Sequence, residues 1–319
     1  MILFTADWHI KLGQKNVPRE WALNRYKLFF EQIHSLEKQC NMHIIGGDLF
    51  DRLPNMEELE LYFSFIRNVQ IPTLIYDGNH EATKKNKTFF TQLKQVSRDI
   101  NPLVKIADIS YYDSDFGFSI LPYADLHRER SIEKFIQTAP LFTHVRGEIP
   151  PHVKPEVDLD RFEEFPIVFA GDLHSHSNTQ KNIVYPGSPM TTSFHRNEVQ
   201  TGYLLINPHD WSWIWEPFDL PQLLRKTVSE PSEMIPTEYH HTIYEIEGDM
   251  QELANVQNTD LLDKKVIKRS TEASLVIDKD MSIQDELIEY LTYILEISET
   301  KIPEIVGIFN DYASKIEME

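Results

Sequence analysis

Short apolar runs and helix-like periodicities alternate along the first half of this 319-residue chain. The apolar runs are bounded by turn residues, which predicts buried strands at Ile2–Ala6, His43–Ile45, Thr73–Tyr76 and Ile167–Ala170. Between the first three strands, Glu20–Lys38 and Glu57–Val69 carry apolar residues at helical spacing. Such βαβα alternation favours a parallel or mixed sheet.

The second half of the chain reads as short strands separated by loops. We predict further strands at Ile109–Tyr112, Gly117–Leu121, Pro140–Thr143, Ile183–Tyr185, Tyr203–Ile206 and Trp213–Trp215. Gly147–Asp160 is rich in proline and acidic residues and is predicted to be a surface loop. The two halves together predict an α/β fold in which two mixed sheets pack as a sandwich flanked by helices.

The character of the chain changes again after Pro217. Residues 218–280 mix strand-like stretches, Thr242–Ile246 and Ser274–Ile277, with polar connectors, which predicts a small α+β capping domain. Ser282 then has the features of a helix N-cap, and a second helix is predicted from near Pro303. We therefore divide the chain into 1–217, 218–280 and a C-terminal helical segment at 281–319.

Polar motifs follow four of the predicted strands in one order along the chain. They are Asp7-Trp8-His9, Gly47-Asp48-Leu49-Phe50-Asp51, Gly78-Asn79-His80-Glu81 and Gly171-Asp172-Leu173-His174. In an open α/β sheet, ligands bind at the carboxyl ends of the strands. We therefore expect these carboxylate, imidazole and amide groups to converge on one metal site.

The donor types indicate which cations such a site would bind. The candidate ligands are Asp7, His9, Asp48, Asn79, His144, Asp172 and His174. Oxygen and nitrogen donors without a thiolate suit Mn²⁺, with Fe or Zn as alternatives. Seven ligands are too many for one ion, so we predict two divalent metal ions that share Asp48 and act together on a phosphate ester.

Other residues near the motifs are candidates for supporting roles. His80 follows a ligand and is predicted to face the substrate, where an imidazole would stabilise developing charge or protonate the leaving oxygen. Asp51 or Glu81 would orient His80 or a ligand histidine from outside the metal site. The basic residues Lys84, Lys85 and Lys87 are candidates for phosphate contacts, although a solvated loop explains them equally well.

The overall composition restricts the setting in which the chain works. A net charge of −19 predicts weak, salt-sensitive binding of nucleic acid by this chain alone. The single cysteine, Cys40, excludes an intramolecular disulfide and fits a reducing compartment. No apolar run is long enough for a transmembrane helix and no signal peptide is visible, so a soluble, cytoplasmic protein without a membrane partner is expected.

The ordered motifs resemble those of the calcineurin-like metallophosphoesterases. Tyr185-Pro186-Gly187-Ser188-Pro189, followed by Ser193-Phe194, resembles a segment of the SbcD nucleases, and the length of the chain is most similar to phage-encoded SbcD-type subunits. The resemblance implies a Mn²⁺-dependent DNA exonuclease and endonuclease that acts with an SbcC-type coiled-coil ATPase on double-strand breaks. It also implies that the capping domain at 218–280 would be a DNA-binding domain. It implies cytoplasmic localisation, in the host if the gene is carried by a phage, and leaves open whether two copies form a homodimer.

One position departs from the family pattern, which has Gly-His-x-His where this chain has Gly171-Asp172-Leu173-His174-Ser175-His176. Either Asp172 replaces the first histidine, or the ligand pair has moved to His174 and His176. We favour Asp172, because it follows a strand and a glycine as Asp48 does.

Two other functions are compatible with the same residues. One is a different phosphoesterase of this fold, such as a protein phosphatase or a cyclic-nucleotide phosphodiesterase. The other is a non-catalytic scaffold that binds an ATPase, although a complete ligand set argues against it.

Overall fold

The structure is a computed structural model, and it describes residues 1–84, 87–128, 130–135, 138–267, 282–295, 297 and 301–316. The strands found in these residues are β1 Ile2–Thr5, β2 Met42–Gly46, β3 Thr73–Tyr76, β4 Ala82–Lys84, β5 Lys87–Thr88, β6 Val104–Ala107, β7 Tyr111–Asp113, β8 Phe118–Leu121, β9 Leu141–His144, β10 Val168–Gly171, β11 Ile183–Val184, β12 Gly202–Ile206, β13 Trp213–Pro217, β14 Leu223–Val228, β15 His241–Gly248 and β16 Leu262–Ile267. The α-helices are α1 Arg19–Glu37, α2 Met56–Arg67, α3 Phe90–Ile100, α4 Tyr123–Leu126, α5 Met250–Asn255, α6 Ile283–Glu289 and α7 Ile302–Ile316.

Two sheets form the centre of the fold. The first has the order β13-β12-β1-β2-β3-β6, and its strands β1, β2, β3 and β6 run parallel. The second has the order β11-β10-β9-β8-β7, in which only β7 runs antiparallel to its neighbour. Parallel strands place their carboxyl ends at one edge of a sheet, which is the edge that the polar motifs follow.

The two sheets pack face to face through aromatic and aliphatic side chains. Ile2 and Phe4 of β1 point into this layer, whereas Leu3 points to the opposite face, as the two-residue period of a strand requires. The ring of Phe4 meets Phe142 edge to face at 5.3 Å, and Phe142 stacks on Phe169 at 5.0 Å. This layer holds β1 close to β9, which ends at His144, and to β10, which is followed by Asp172 and His174.

Helices α1, α2 and α3 cover the outer face of the first sheet. Tyr26 and Phe29 of α1 and Tyr62 and Phe65 of α2 are buried there. Helix α2 begins at a capping box, because Asn55 accepts from the backbone N–H of Glu58 and the Glu58 carboxylate accepts from that of Asn55. The predicted α/β sandwich of two mixed sheets flanked by helices is therefore confirmed.

Three details differ from the sequence prediction. Helix α3 was not predicted, because it buries only Phe90 and Ser97 and has no side-chain N-cap. Strand β7 begins at Tyr111 rather than at Ile109, whose side chain is exposed. The predicted strand Pro140–Thr143 is found one residue later, so that His144 is the last residue of β9.

The chain divides into two compact units, Met1–Ile246 with Gln257–Lys264, and Glu247–Val256 with Lys265–Glu319. A third sheet has the order β14-β15-β16, and β15 contains the predicted strand Thr242–Ile246. The predicted stretch Ser274–Ile277 lies outside the described residues. The finer boundaries at 217 and 280 stay a prediction.

The C-terminal helices are found where the sequence predicted them. Ser282 caps α6 by accepting from the backbone N–H of Asp285 at 3.2 Å. Leu291, Ile302 and Val306 form a small buried cluster among the C-terminal residues. Within the described part of the chain, no helix combines the length and the apolar character needed to cross a membrane.

Candidate metal centre

The candidate ligands lie in sharp turns at the ends of the parallel strands. Asp7, Asp48 and Asp172 follow β1, β2 and β10, and each has a positive φ, at 57°, 48° and 103° respectively. His9 shares this conformation with a φ of 46°. Non-glycine residues rarely adopt this region, and such strained residues cluster at functional sites. The backbone therefore turns these side chains toward one point.

The turns are fixed by contacts between loops. The backbone N–H of Asp7 donates to the carbonyl of Gly47 at 3.0 Å, and that of His9 donates to the carbonyl of Asp48 at 2.9 Å. Gly47 has a φ of 86°, and a Cβ there would lie 2.5 Å from Nδ1 of His144. Only glycine fits at this position, and its absence of a side chain lets His144 approach the loop of Asp48.

Asp7, His9 and His174 form a first group of ligand atoms, all within 4.8 Å of one another. Nε2 of His9 lies 3.0 Å from Nε2 of His174 and 3.7 Å from Oδ2 of Asp48. The two imidazole nitrogens thus face each other beside two carboxylates, which is an arrangement that a shared cation would stabilise.

A second group surrounds Nε2 of His144. This atom lies 3.0 Å from the side-chain amide of Asn79, 3.5 Å from Oδ2 of Asp48 and 3.8 Å from Oδ1 of Asp172. Nδ1 of His144 lies 2.9 Å from the carbonyl oxygen of Gly46, to which it donates when protonated. This hydrogen bond fixes the tautomer whose Nε2 is free to bind a metal ion. Asp48 is the residue that both groups share.

Burial and charge act against each other in this cluster. Burial raises the pKa of Asp7 well above its ordinary value, and lowers the pKa of His9 to about 3. Burial also opposes ionisation of Asp48, but His144 and His9 outweigh it and lower the pKa of that carboxyl. The pKa of His144 is raised despite its burial, because Asp48, Asp7 and Asp172 attract its charge. A divalent cation bound between these carboxylates would favour their ionised forms.

The residues present fit divalent metal ions. Asp7, Asp48 and His144 also lie within 4.8 Å of one another, so this group shares Asp7 with the group of His9 and His174, and shares Asp48 with the group of His9 and His80. The donors are oxygen and nitrogen, and the one cysteine, Cys40, is a free buried residue of the hydrophobic core. Overlapping groups of this kind are typical of paired metal sites that share a carboxylate.

His80 lies at the border between the ligands and the solvent. Its backbone N–H donates to Oδ1 of Asp48 at 2.9 Å, its ring meets His9 edge to face at 4.7 Å, and its side chain is 35% exposed. Nδ1 contacts the backbone carbonyl of Asp51, while Nε2 lies 3.9 Å from Oδ2 of Asp48. The distances also allow His80 to join His9 and Asp48 as a ligand, so geometry leaves both roles open.

The two carboxylates considered for orienting histidines lie in different surroundings. Oδ1 of Asp51 lies 3.7 Å from Nδ1 of His9, and its other oxygen forms a 2.7 Å ion pair with Lys11. Glu81 is fully buried, and among the described residues it forms no hydrogen bond with a histidine. It accepts instead from the backbone N–H groups of Asp48, Phe50 and Gly78 at 3.0, 2.8 and 2.8 Å. Glu81 thus joins the loops after β2 and β3.

Asp172 and His176 lie in different surroundings, and which of them is a ligand stays a prediction. The carboxylate of Asp172 faces His144, and its backbone N–H donates to Asp7 at 3.0 Å. Nδ1 of His176 lies 2.7 Å from the carbonyl of Tyr185, and its ring stacks on Trp215 at 5.3 Å. The contacts of His176 are thus with a backbone carbonyl and an aromatic ring, whereas those of Asp172 are with two candidate ligands.

The basic residues after the third motif lie on β4 and β5. Lys87 is exposed on β5, Lys84 ends β4, and Lys85 lies outside the described residues. A contact between these lysines and a phosphate stays a prediction.

Three supporting residues were not assigned to the site from the sequence. The hydroxyl of Tyr26 donates to the carbonyl of His9 at 2.6 Å, and that of Ser188 donates to the carbonyl of Asp7 at 2.7 Å. The guanidinium of Arg146 contacts the carboxylate of Asp172 at 3.3 and 3.4 Å. The sequence signal that could have assigned Arg146 to the site is its position two residues after the candidate ligand His144.

A cavity of about 840 Å³ opens onto the candidate ligands. Asp48, Asn79, His80 and Asp172 lie on its wall. The rest of the lining combines apolar residues such as Leu173 and Trp215 with hydroxyl and amide side chains, among them Ser177, Asn178, Thr191, Thr192, Ser193 and Gln200. Its size suits a substrate of nucleotide dimensions.

Comparison with known proteins agrees with the α/β fold. Residues 1–164 match the calcineurin-like phosphoesterases. The chain belongs to this family, which uses divalent metal ions, so the resemblance inferred from the motifs is confirmed.

Two viral proteins and one solved archaeal structure illustrate what the chain is similar to. Probable exonuclease subunit 1 of Escherichia phage T5 is 37% identical over 317 residues, which are 96% of this chain and 96% of the relative. A putative phosphoesterase of Invertebrate iridescent virus 6 is 26% identical over 233 residues, 64% of this chain and 75% of its own. The solved structure of an archaeal phosphodiesterase, 13% identical, covers 68% of this chain and 99% of its own with a TM-score of 0.38.

Proposed function

We propose that this chain is a Mn²⁺-dependent DNA exonuclease and endonuclease, the nuclease subunit of an SbcC–SbcD-type complex that processes DNA ends in double-strand break repair and recombination. The observation that carries the proposal is the pair of ligand groups joined by Asp48 at the wall of an open cavity. The similarity to a phage protein named as an exonuclease subunit, over 96% of both chains, supports DNA as the substrate.

The distances support a division of the ligands between two sites. Asp7, His9 and His174 would hold one cation, and Asn79, His144 and Asp172 would hold the other, with Asp48 shared between them. The cations, when bound, supply Lewis-acid activation of water and of the phosphate ester. The mixture of carboxylates and imidazoles supports Mn²⁺ over Mg²⁺.

His80 is the proposed catalytic residue that is not needed as a ligand. The Asp51 carbonyl at Nδ1 allows the ring to carry a second proton on Nε2, which faces Asp48. That proton would pass to the leaving oxygen of the cleaved phosphodiester. A partly exposed ring at this position reaches the cavity without losing its contact with Asp51.

The C-terminal helices are the proposed site for an SbcC-type ATPase. The relative of phage T5 is named a subunit, which supports a partner chain. Ile283, Leu295 and Ile308 expose 70%, 50% and 56% of their surfaces. Exposed apolar side chains on helices are typical of segments that bind a groove or a coiled coil.

The nuclease proposal is tested with the purified full chain on labelled linear and circular DNA, with Mn²⁺ or Mg²⁺ and with or without the ATPase. We expect Mn²⁺-dependent cleavage of linear DNA, and its loss in Asp48→Asn, because that change removes the shared carboxylate. Asp115→Asn, which changes an exposed carboxylate on the loop between β7 and β8, is the matched control. Calorimetry should show weaker Mn²⁺ binding by Asp48→Asn alone.

The same assay separates the alternative functions. Hydrolysis of a phosphoprotein or a cyclic nucleotide without cleavage of DNA would identify another phosphoesterase of this fold. Failure to hydrolyse any phosphoester with Mn²⁺ bound would support the non-catalytic scaffold. Full activity of Asp48→Asn would contradict the paired metal site.

A further inference from the structure

Arg146 is the only lysine or arginine among the described residues that line the large cavity. The other titratable groups on this wall are carboxylates and imidazoles of the candidate metal centre together with His176 and His195, and the remainder is neutral. A phosphodiester that enters the cavity therefore meets one permanently charged cation of the protein. We propose that Arg146 is a further catalytic residue, whose guanidinium binds the scissile phosphate. This inference rests on the proposed phosphodiesterase function of the same site.

The side chain of Arg146 is loosely held although its backbone is fixed. Its backbone N–H donates to Oε1 of Glu156 at 3.0 Å. The guanidinium contacts Asp172 at 3.3 and 3.4 Å, longer than the roughly 2.7–2.9 Å of a strong charge-assisted bond. By comparison, Arg161 contacts Glu133 at 2.7 and 3.0 Å. The Arg146 side chain is also 41% exposed, so it can exchange partners without leaving a buried donor unpaired.

The charge of Asp172 explains why the guanidinium would exchange partners. The carboxylate of Asp172 also lies 3.8 Å from Nε2 of His144, within the second ligand group. A carboxylate that binds a divalent cation attracts the guanidinium less, and the cation repels it. An anionic phosphate oxygen in the same cavity is then the available partner, and arginine binds phosphate through two N–H groups at once.

A different role for Arg146 makes a distinguishable prediction. The arginine could serve only to neutralise Asp172, which stands where the family pattern has a histidine. In that case Arg146→Ala should have little effect once Asp172→His has removed the carboxylate. If Arg146 binds phosphate, its removal should have a similar effect in both backgrounds, which a double-mutant cycle measures.

The decisive measurement is the affinity of inorganic phosphate for the Mn²⁺-loaded full chain. We expect Arg146→Ala to weaken phosphate binding by about 10- to 100-fold, as for the loss of hydrogen bonds to a charged group, and Arg146→Lys to restore part of it. Mn²⁺ affinity, measured by calorimetry, should stay equal or increase. The plot of the logarithm of the DNA-binding constant against the logarithm of the salt concentration should become shallower by about one unit of slope. Arg161→Ala, which breaks a surface ion pair, is the matched control.

The outcomes separate this inference from the proposed function. Weaker phosphate binding by Arg146→Ala supports the inference even if the protein cleaves no DNA, because phosphate is the probe. Unchanged phosphate affinity in a protein that cleaves DNA overturns the inference alone. If Arg146→Ala no longer weakens phosphate binding once Asp172→His is present, the inference is also overturned. Arg146 would then serve to neutralise the charge of Asp172.

Discussion

Replacing Glu81 by glutamine tests how the metal centre is held together. The Glu81 carboxylate is fully buried and accepts three backbone N–H groups, from Asp48, Phe50 and Gly78. A glutamine of the same shape keeps one acceptor oxygen and presents an amide N–H₂ to the remaining donor. The change is small in volume, so its effect reports on hydrogen bonding rather than on packing.

The magnitude follows from the groups left without partners. If the amide oxygen takes the position that serves Asp48 and Gly78, the N–H of Phe50 and the new N–H₂ face each other. An unsatisfied buried polar group costs about 1–3 kcal/mol, so we expect Glu81→Gln to lower the free energy of unfolding by about 2–4 kcal/mol. Because one of the three bonds positions Asp48, we also expect Mn²⁺ affinity to fall by about 10- to 100-fold.

The assay is urea unfolding of the metal-free full chain at pH 7, with Mn²⁺ titration by calorimetry. Glu60→Gln, on the exposed face of α2, is the matched control. Burial raises the pKa of Glu81, and the N–H donors of Phe50 and Gly78 act in the opposite direction. A Glu81 that is protonated in the folded protein would already resemble glutamine. An unfolding free energy equal to that of the wild type would therefore refute our reasoning.

Three further predictions concern other parts of the chain. His80→Ala should keep Mn²⁺ binding by calorimetry but lose about 10²- to 10⁴-fold in turnover; loss of Mn²⁺ binding would make His80 a ligand. Deleting 281–319 should spare cleavage of short DNA and abolish stimulation by the ATPase; a chain that fails to fold would contradict this. Burial opposes ionisation of Glu37, but hydrogen bonds from His34 and His43 prevail and lower its pKa to about 2. The ionised carboxylate therefore stabilises the folded protein fully above pH 4.5, and this stabilisation is lost as the pH falls toward 2. Glu37→Gln should therefore cost up to ~3 kcal/mol of unfolding free energy at pH 7 and about half of that at pH 3; an equal cost at both values would contradict this.

The sequence predicted the strand ends well because they depend on local patterns. Apolar runs that end in glycine and aspartate mark both the end of a buried strand and a turn, and the turns at Asp48 and Asp172 have the expected form. Helix α3 was missed because Phe90–Ile100 buries few apolar residues and begins at Phe89 without a capping side chain. Its position depends on packing against β6, which no local pattern reveals.

The supporting contacts of the metal centre could not be predicted in the same way. Glu81 reaches backbone groups 31 and 33 residues earlier in the chain, and Ser188 reaches the carbonyl of Asp7 across 181 residues. A backbone N–H or carbonyl has no sequence signature, because every residue except proline carries both. Residue types can therefore indicate which side chains bind a metal ion, but not which ones hold the loops that carry them.

The choice between Asp172 and His176 shows what the structure adds to a motif. The sequence alone allows two pairs of ligands, Asp172 with His174 or His174 with His176, because each pair is two residues apart. Asp172 has the same left-handed backbone as Asp48 and faces His144, whereas His176 is engaged by a carbonyl and by Trp215. A carboxylate in place of an imidazole adds a negative charge to a buried cluster, and a nearby cation becomes more favourable. The guanidinium of Arg146 contacts this carboxylate, and a cation bound by Asp172 would release the guanidinium for a phosphate.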